Sequence, residues 1–454
     1  MPTTTAALVK PTRSPTRAQA VILLQVFAVA LFLFPSDTVI KAIGAGGFVA
    51  ALVAMLAFGA WLVSTMLGVH NPLVHRHPTR VALGALWLVS LVSYALLHRA
   101  QLTGTEELAA DRWMMQLAGM TGVALIAAEC LPSLAAVKRV LRAVVWGGAI
   151  CGVVAALQFW TGIDLAHELR MIPGFTVNFA NSDIIFRGGL KRVTGTTIDP
   201  IELGVAAGML LPLALYLVLY DRERKAWKRW VPMMGIAVAI PVSVSRSAIV
   251  SVAVAVGMLV VLLPRARRAP FIAALPVAVT GVFVAAPGLI GTLALYFTLG
   301  KSDPSILHRT NNYSYVEALV RHAPWFGTGG GTYLPTVQHI LDNQYLTTVI
   351  ELGIVGLVVL TFFFALPVAT ALVARQRTAD PELRTLCSAL AGSAAAAIIC
   401  SATFDSLSFP VFAYVEALVV GLCGACWLLV ARSHDRVPGR FDANNTMILV
   451  NERG

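Results

Sequence analysis

An apolar run near the middle of the sequence contains a single arginine. Residues 241–263 read PVSVSRSAIVSVAVAVGMLVVLL, and Arg246 lies close to the start of this run. A guanidinium at mid-helix in a membrane costs roughly 2.5 to 3.5 kcal/mol, and less near a helix end. Guanidinium groups bind phosphate oxygens through two parallel hydrogen bonds and stay charged at physiological pH. Arg246 therefore indicates a bound phosphate, with pairing to a carboxylate or a lipid headgroup as the alternative.

Two long polar segments, 161–200 and 300–345, carry further basic residues. Connections of this length are usually functional or disordered, and their aromatic content favours order. Several arginines converging on an apolar bundle fit a lipid-linked phosphate or pyrophosphate. Pairing with nearby carboxylates or lipid headgroups is the favoured alternative for Arg187, Lys191 and Lys301. The basic residues of the two segments are Arg170, Arg187, Lys191, Arg192, Lys301, Arg309 and Arg321.

Membrane helices must position these side chains. The 454 residues are 57% hydrophobic and 13% charged, with a mean hydropathy of +0.77, whereas soluble domains are about one-quarter charged. Stretches able to cross about 30 Å of hydrocarbon recur along almost the whole length. We predict an all-α polytopic membrane protein with about twelve transmembrane helices and two long periplasmic or extracellular loops. The predicted spans are 19–35, 44–67, 79–97, 113–131, 140–160, 201–220, 231–244, 247–263, 271–299, 346–372, 385–403 and 409–431.

The net charge of +11 does not indicate a nucleic-acid partner, because the basic residues outside the two long segments alternate between predicted loops. The positive-inside bias places both termini in the cytoplasm and the two long loops on the outer face of the cytoplasmic membrane. We predict a cytoplasmic tail (1–18), one transmembrane domain (19–431) and a second cytoplasmic tail (432–454). The first apolar segment lacks a small-residue cleavage site, so we expect it to be retained.

Neither a metal site nor a cofactor is predicted. The chain has no Asp-x-Asp pair, the usual arrangement for holding a divalent ion against a nucleotide-sugar diphosphate. Cationic side chains would then have to stabilise the charge that develops on a leaving group. Cys423 and Cys426 form a CGAC motif with no Cys or His beside it in the sequence, and we expect these small residues to serve packing.

Four segments, in order, resemble the O-antigen ligase and Wzy-type polymerase superfamily. They are RVTGTTIDPIELGVAAGMLLPLAL (192–215), SVSRSAIVSVAV (243–254), WFGTGGGTYL (325–334) and DNQYLTTVIELGIVGL (342–357). FDSLSFP (404–410), before the last predicted span, is also similar. The resemblance covers roughly residues 190–430.

The resemblance implies a metal-independent glycosyltransferase that passes a glycan from a polyprenyl pyrophosphate to an acceptor hydroxyl on the outer face of the membrane. Arg192 and Arg246 match the family's pyrophosphate-binding arginines. Ligases of the family usually carry His-Asn where this chain has Asp342-Asn343, which favours a polymerase or a ligase for a different acceptor. The implied partners are a polyprenyl-pyrophosphate-linked glycan donor, a glycan, glycolipid or other hydroxyl acceptor, and membrane lipids. The candidate substrate-binding residues are Arg192, Arg246, Arg309, Arg321, Asn343 and Tyr345.

Asp342 and Arg246 are the candidate catalytic residues. An inverting attack needs a base near the acceptor hydroxyl, and Asp342 can serve if it lies within hydrogen-bonding reach. The alternative for Asp342 is a helix N-cap, a position that favours Asp. His339 is a substitute base, whereas His308 and His322 are expected to make loop contacts.

Two glycine-containing motifs leave alternatives open. The TGGGT segment (328–332) either binds a phosphate through backbone N–H groups or forms a tight turn. No strand precedes it, so a Walker-type site is excluded. The tripeptide ELG occurs at 202–204 and 351–353, which indicates either related roles for Glu202 and Glu351 or a coincidence of composition.

A transporter or flippase for a lipid-linked oligosaccharide is the alternative function. Such a protein should carry charge along a path open to both leaflets, and usually an internal repeat. Here the basic residues that break the positive-inside pattern lie on one side, and we find no convincing repeat. A transferase using polyprenyl monophosphate sugars should carry acidic residues in its first outer loop, but the loop around Asp37 is short. We therefore favour the pyrophosphate-dependent transferase.

Overall fold

The structure, a computed structural model, describes residues 15–97, 103–178, 186–187, 190–285, 304–334 and 337–435. Within these ranges the chain forms fifteen α-helices and four short strands. Helices α1 to α5 are Pro15–Leu33, Val49–Met66, Pro78–Leu97, Gly104–Glu129 and Leu134–Trp160. Helices α6 to α10 are Leu165–Arg170, Pro200–Tyr220, Ala226–Val242, Arg246–Leu262 and Arg265–Ala285. Helices α11 to α15 are Pro304–Val320, Gln344–Glu351, Gly353–Arg377, Pro381–Cys400 and Pro410–Asp435.

Local sequence signals fix several helix starts. Thr103 and Glu106 form a capping box at α4, in which the Thr103 amide donates to Glu106 Oε2 at 2.8 Å. Asp199 and Asp380 cap α7 and α14, and each is followed by proline at the first helical position. Asp at the cap and proline at the first position are both favoured for beginning a helix.

The helices confirm a multi-pass membrane protein. Among the described residues, seven helices are long and apolar enough to cross a membrane: α2, α3, α5, α7, α13, α14 and most of α15. Shorter apolar helices cover Ala18–Leu33 and Arg246–Leu262. Each of the twelve predicted spans overlaps a helix, but twelve crossings and the side on which the loops lie stay predictions.

Small residues allow the helices to pack closely. The most extensive contacts join α14 with α9, α4 with α15, α5 with α8 and α2 with α4. A Cβ atom built on Gly152 of α5 would lie 2.0 Å from the carbonyl oxygen of Gly235 in α8, and one on Gly392 of α14 would lie 2.3 Å from that of Ala255 in α9. Close backbone approach through small residues is typical of helix pairs in membranes.

The continuous span predicted at 346–372 is wrong, because the chain breaks into α12 and α13. Helix α12 ends at Glu351, and Gly353 has a φ of +71°. A Cβ at Gly353 would lie 2.3 Å from the backbone of Trp325. The loop before α12 therefore presses against this break, and only glycine fits there.

The two long polar segments contain regular structure. The first includes α6 and strands β2 (Phe175–Val177), β3 (Phe186–Arg187) and β4 (Leu190–Lys191). Strand β1 (Thr38–Ile40) pairs antiparallel with β2, Thr38 opposite Val177, and β3 pairs antiparallel with β4. The second segment includes α11.

The six cysteines are free thiols. Cys423 and Cys426 of the CGAC motif are fully buried in α15. Cys387 of α14 lies against Cys426, a neighbour that sequence spacing did not reveal. Among the described residues, no group of three or more His, Cys, Asp and Glu side chains is arranged to hold a metal ion.

Candidate active site

Arg246 lies at the first position of α9, directly after a strained turn. Helix α8 ends at Val242, and Val244 has a φ of +46° with only 1% of its surface exposed. A β-branched residue in the left-handed region is a true conformational outlier, and such strain gathers at functional sites. Arg246 is half-buried. The turn therefore places Arg246 at the start of α9, and the backbone strain at Val244 accompanies this placement.

Arg192 lies beside the same turn. It is half-buried in the irregular segment between β4 and α7, and its Nε is 3.5 Å from the carbonyl oxygen of Ser243. Gly204 of α7 lies against this turn too, since a Cβ there would be 2.6 Å from Ser243 Oγ. The two motifs that carry the candidate pyrophosphate-binding arginines are thus in contact.

Asp342 is not a helix cap, so that alternative is wrong. Asn343 caps α12, because its Oδ1 accepts the amide of Tyr345 at 2.9 Å. Asp342 precedes the cap, is half-buried and has a φ of +48°. It joins Val244 as the second of two non-glycine residues with positive φ among the described residues.

Two further aspartates, Asp199 and Asp405, interact electrostatically with Asp342. Burial is the largest cause that raises the pKa of each, and the charge of Asp342 raises both pKa values further. Arg192 lies near Asp199 and lowers its pKa in part. Asp342 thus lies near two carboxyl groups, and one of these, Asp199, also lies near Arg192.

Asp405 is the less satisfied of these two carboxyl groups. Its Oδ2 accepts the hydroxyl of Ser408, and the Thr347 hydroxyl lies close enough to lower the Asp405 pKa in part, whereas the buried Oδ1 makes no hydrogen bond of normal length and angle to a described residue. Asp199 accepts the amide of Ile201 at 2.6 Å as the cap of α7. A buried acceptor without a partner costs about 1 to 3 kcal/mol.

Gln344 brings Asp342 and Asp405 together. The backbone N–H group of Gln344 donates to the carbonyl oxygen of Ser401 at 2.9 Å, and its side-chain Oε1 accepts the backbone N–H group of Leu407 at 2.6 Å. These bonds hold the start of α12 against the segment between α14 and α15. On the other side of that segment, the hydroxyls of Ser247 and Thr403 are 2.8 Å apart.

The two ELG glutamates have the same structural role. Glu202 accepts the amides of Ile198 at 3.0 Å and of Val411 at 2.6 Å, so it joins the Asp199 segment to the start of α15. Glu351 accepts the amide of Tyr333 at 3.1 Å and so holds the loop that follows α11. Both glutamates are buried, at 0% and 6% exposure. They position backbone around the site.

The glycines of TGGGT serve close packing. A Cβ on Gly329 would lie 2.3 Å from Leu97 of α3, and one on Gly330 would lie 2.4 Å from Trp113 of α4. The amide of Gly329 already donates to the carbonyl of Glu351 at 2.8 Å. The loop therefore fits the tight-turn alternative rather than a phosphate cradle.

The remaining predicted binding residues have varied surroundings. Arg321 is exposed and pairs with Glu317 at 2.7 Å. Tyr345 is half-buried, and its hydroxyl donates to the carbonyl of Ile398 at 2.8 Å. The Oδ1 of Asn343 is occupied by the α12 cap. The side chain of Arg309 lies outside the described part of the chain.

The candidate histidines differ in their contacts. His339 is exposed, and its ring meets that of Tyr315 edge to face at 4.9 Å between centroids. The Nδ1 of His322 lies 3.0 Å from the carbonyl oxygen of Ala318. The side chain of His308 is outside the described residues.

The sequence contained signals for the two aspartates that were missed. Asp199 precedes a proline in TIDP, which is a helix-start pattern. Asp405 belongs to the FDSLSFP motif, which was identified as similar to the family without its carboxylate being assigned a role. Their approach to Asp342 joins residues about 60 to 140 positions apart in the chain, and periodicity carries no information on such contacts.

Comparison with known proteins agrees with the motifs. Residues 231–361 match the family model described as O-antigen ligase, Wzy_C. The matched residues include Arg246, the TGGGT loop and Asp342. No match was found among curated proteins. Residues 231–361 are therefore similar to the Wzy_C domain of O-antigen ligases, which confirms the predicted resemblance to the O-antigen ligase and Wzy-type superfamily.

Proposed function

We propose that the protein transfers a glycan from a polyprenyl-pyrophosphate donor to an acceptor hydroxyl, without a metal, on the outer face of the cytoplasmic membrane. The observation that carries this proposal is the contact of the Arg192 segment with the Arg246 turn, combined with the electrostatic link from Arg192 through Asp199 to Asp342. The family match supports transfer of a lipid-linked glycan to an acceptor.

The arginines would bind the pyrophosphate and stabilise it as it leaves. Guanidinium groups form bidentate hydrogen bonds with phosphate oxygens. Their charge stabilises the transition state more than the ground state, because the bond from the anomeric carbon to the pyrophosphate oxygen breaks and its electron pair moves to that oxygen. Arg192 and Arg246 would supply this charge in place of a metal ion.

Asp342 would act as the general base. The acceptor oxygen attacks the anomeric carbon, and the hydroxyl proton passes to the Asp342 carboxylate, which later releases it to water. The left-handed backbone holds Asp342 off the helix that Asn343 caps, so its carboxylate is not needed for capping. Positioned general bases typically contribute about 10² to 10⁴ in rate.

Transfer can be tested with purified protein and a short glycan on polyprenyl pyrophosphate, followed by mass analysis of the products. A lengthened glycan on the lipid indicates a polymerase, and transfer to another lipid or protein indicates a ligase. An unchanged donor with no product would contradict a transferase and favour transport.

The arginine role can be tested in the same assay. Arg246→Lys keeps the charge but loses the bidentate geometry, so it should fold and lose most activity. Arg139→Lys, on the exposed side of α5, is the matched control and should retain activity. Lysine at 246 with wild-type transfer would contradict the pyrophosphate role, because a boundary anchor tolerates lysine.

Labelling of single cysteines in a cysteine-free variant tests the outer-face location. His322 and Lys228 are both exposed in the structure. In intact cells an impermeant thiol reagent should label a cysteine that replaces His322 and leave one that replaces Lys228 unlabelled. The reverse pattern would invert the topology and contradict catalysis at the outer face.

A further inference from the structure

The segment that carries Arg192 has no regular secondary structure of its own between β4 and α7. Side chains from elsewhere must therefore hold it in place. Gln158, in the last turn of α5, makes several of these contacts. It is 5% exposed, and its partners lie on both sides of Arg192 in the sequence.

Gln158 binds both backbone groups of Gly195. The Gly195 amide donates to Gln158 Oε1 at 2.8 Å, and Gln158 Nε2 donates to the Gly195 carbonyl oxygen at 3.2 Å. Gly195 has a φ of +61°, and a Cβ there would lie 2.8 Å from the carbonyl oxygen of Cys151. The segment therefore packs tightly against α5 at Gly195, three residues after Arg192.

The same residue also contacts the other flank of Arg192. The ammonium group of Lys191 donates to the backbone carbonyl of Gln158 at 3.1 Å. The backbone and side chain of Gln158 thus bracket Arg192 from both sides.

The side-chain amide of Gln158 is held in one orientation. Its Nε2 makes a second hydrogen bond, to Asp164 Oδ1 at 2.6 Å. Asp164 in turn accepts the amide of Ala166 at 3.0 Å as the cap of α6, and its Oδ2 lies 3.5 Å from Arg170. A flipped amide would place Nε2 against the Gly195 N–H group and Oε1 against a carboxylate, so both interactions would become repulsive.

We propose that Gln158 is a positioning residue for donor binding, which sets the Arg192 guanidinium against the pyrophosphate by holding the backbone of Gly195 with its side chain and the ammonium group of Lys191 with its backbone carbonyl. This inference rests on the proposed function of Arg192. Gln158 itself is not proposed to contact the substrate.

The test uses the full-length purified protein and inorganic pyrophosphate as the probe. Gln158→Glu keeps the acceptor for the Gly195 amide but removes both donors and places a second carboxylate against Asp164. We expect the pyrophosphate Kd to rise about tenfold, a change of about 1.4 kcal/mol. Gln376→Glu, at an exposed position near the end of α13, is the matched control and should leave the Kd unchanged.

A reciprocal substitution gives the rescue. Asn is as good a helix cap as Asp, so Asp164→Asn should leave α6 capped. In the Gln158→Glu/Asp164→Asn double variant the amide oxygen at position 164 still caps α6, and the glutamate at position 158 no longer faces a second carboxylate, so the repulsion that the single variant introduces is removed. The pyrophosphate Kd should return to within about threefold of wild type, which a general loss of stability would not explain.

Coupling to Arg192 decides the mechanism. Arg192→Ala should weaken pyrophosphate binding, and adding Gln158→Glu to it should weaken binding no further, because the group being positioned is gone. In turnover assays Gln158→Glu should raise the donor KM and leave kcat nearly unchanged, as expected when binding of the ground state and of the transition state is weakened equally.

The proposal would be overturned if the effects of Arg192→Ala and Gln158→Glu on the Kd were additive, if Gln158→Glu left the Kd unchanged, or if the wild type did not bind pyrophosphate. Pyrophosphate binding without any glycan transfer by the wild type would instead contradict the proposed function, and the double-variant comparison would still decide the role of Gln158.

Discussion

Two charged clusters lie at different levels along α15 and satisfy their carboxylates differently. The candidate active site adjoins the start of α15, where Glu202 accepts the Val411 amide. The second cluster adjoins Gly424, where a Cβ would lie 2.9 Å from His77 Nδ1. The helix rises about 20 Å between these two residues. We call the second group, Glu129 with Trp61, His70, His77 and Arg80, the Glu129 cluster.

In the Glu129 cluster, both carboxylate oxygens have partners. Oε2 accepts Trp61 Nε1 at 2.9 Å and lies 2.6 Å from His70 Nε2. Oε1 lies 3.1 Å from His77 Nε2 and also accepts the Arg80 guanidinium. The cluster joins α2, α3 and α4 with regular backbone geometry, as expected of a structural ion pair.

The candidate active site shows the opposite pattern. Asp342 and Val244 have strained backbones, and the buried Asp405 Oδ1 makes no hydrogen bond of normal length and angle to a described residue. The carboxyl groups of Asp199 and Asp405 each lie near that of Asp342, so like charges are brought together there. In the Glu129 cluster the protein itself satisfies the charge, as a structural cluster requires, whereas the strained and less satisfied carboxyl groups around Asp342 are what we expect of a substrate site.

The largest stability effect should follow from breaking the Glu129 cluster. Glu129→Ala leaves two histidines, an arginine and an indole N–H without their acceptor, so the free energy of unfolding should fall by about 3 to 5 kcal/mol. Thermal unfolding in detergent measures this loss. Glu223→Ala, which removes a carboxylate that is 79% exposed, is the control and should change little. Loss of transfer per folded molecule in Glu129→Ala would contradict a purely structural role.

A moderate effect should follow from changing the strain at Val244. Val244→Ala and Val244→Gly both remove buried methyl groups, but only glycine adopts positive φ without a penalty. The glycine variant should therefore be more stable than the alanine variant by about 1 kcal/mol, the reverse of their usual order in regular structure. Chemical unfolding of the two variants compares them directly. A more stable alanine variant would show that the turn is not strained.

The smallest effect concerns Asp405 and pH. Since burial raises its pKa, folded Asp405 holds a proton more tightly than in the unfolded chain, where the pKa is about 3.9. This stabilisation is complete below the unfolded pKa and is lost as pH rises through the folded pKa. Asp405→Asn should flatten that part of the stability-against-pH curve and lower transfer by less than about tenfold, or ~1.4 kcal/mol. Asp380→Asn, at the cap of α14, is the matched control. An unchanged slope would exclude Asp405 as the source.

The sequence allowed much of this to be predicted, for identifiable reasons. Apolar length located the helices, and the motif order brought Arg192, Arg246 and Asp342 into one hypothesis. The break before Gly353 was missed because the apolar run continues through it, and its cause is a contact with distant Trp325. The cap at Asn343 was missed because Asp and Asn are equally good caps in adjacent positions. Asp199 and Asp405 were missed because only the folded chain brings them to Asp342.

The most direct test of the central claim is transfer by Asp342→Asn. Asn adopts left-handed backbone as readily as Asp, and Asn343 still caps α12, so folding and pyrophosphate binding should be preserved. Turnover should fall by about 10² to 10⁴, because the amide cannot accept the acceptor's proton. Asp342→His should restore part of the activity, with a pH optimum shifted toward the imidazole pKa of about 6.5. Full turnover by the asparagine variant would contradict Asp342 as the base and would turn attention to His339.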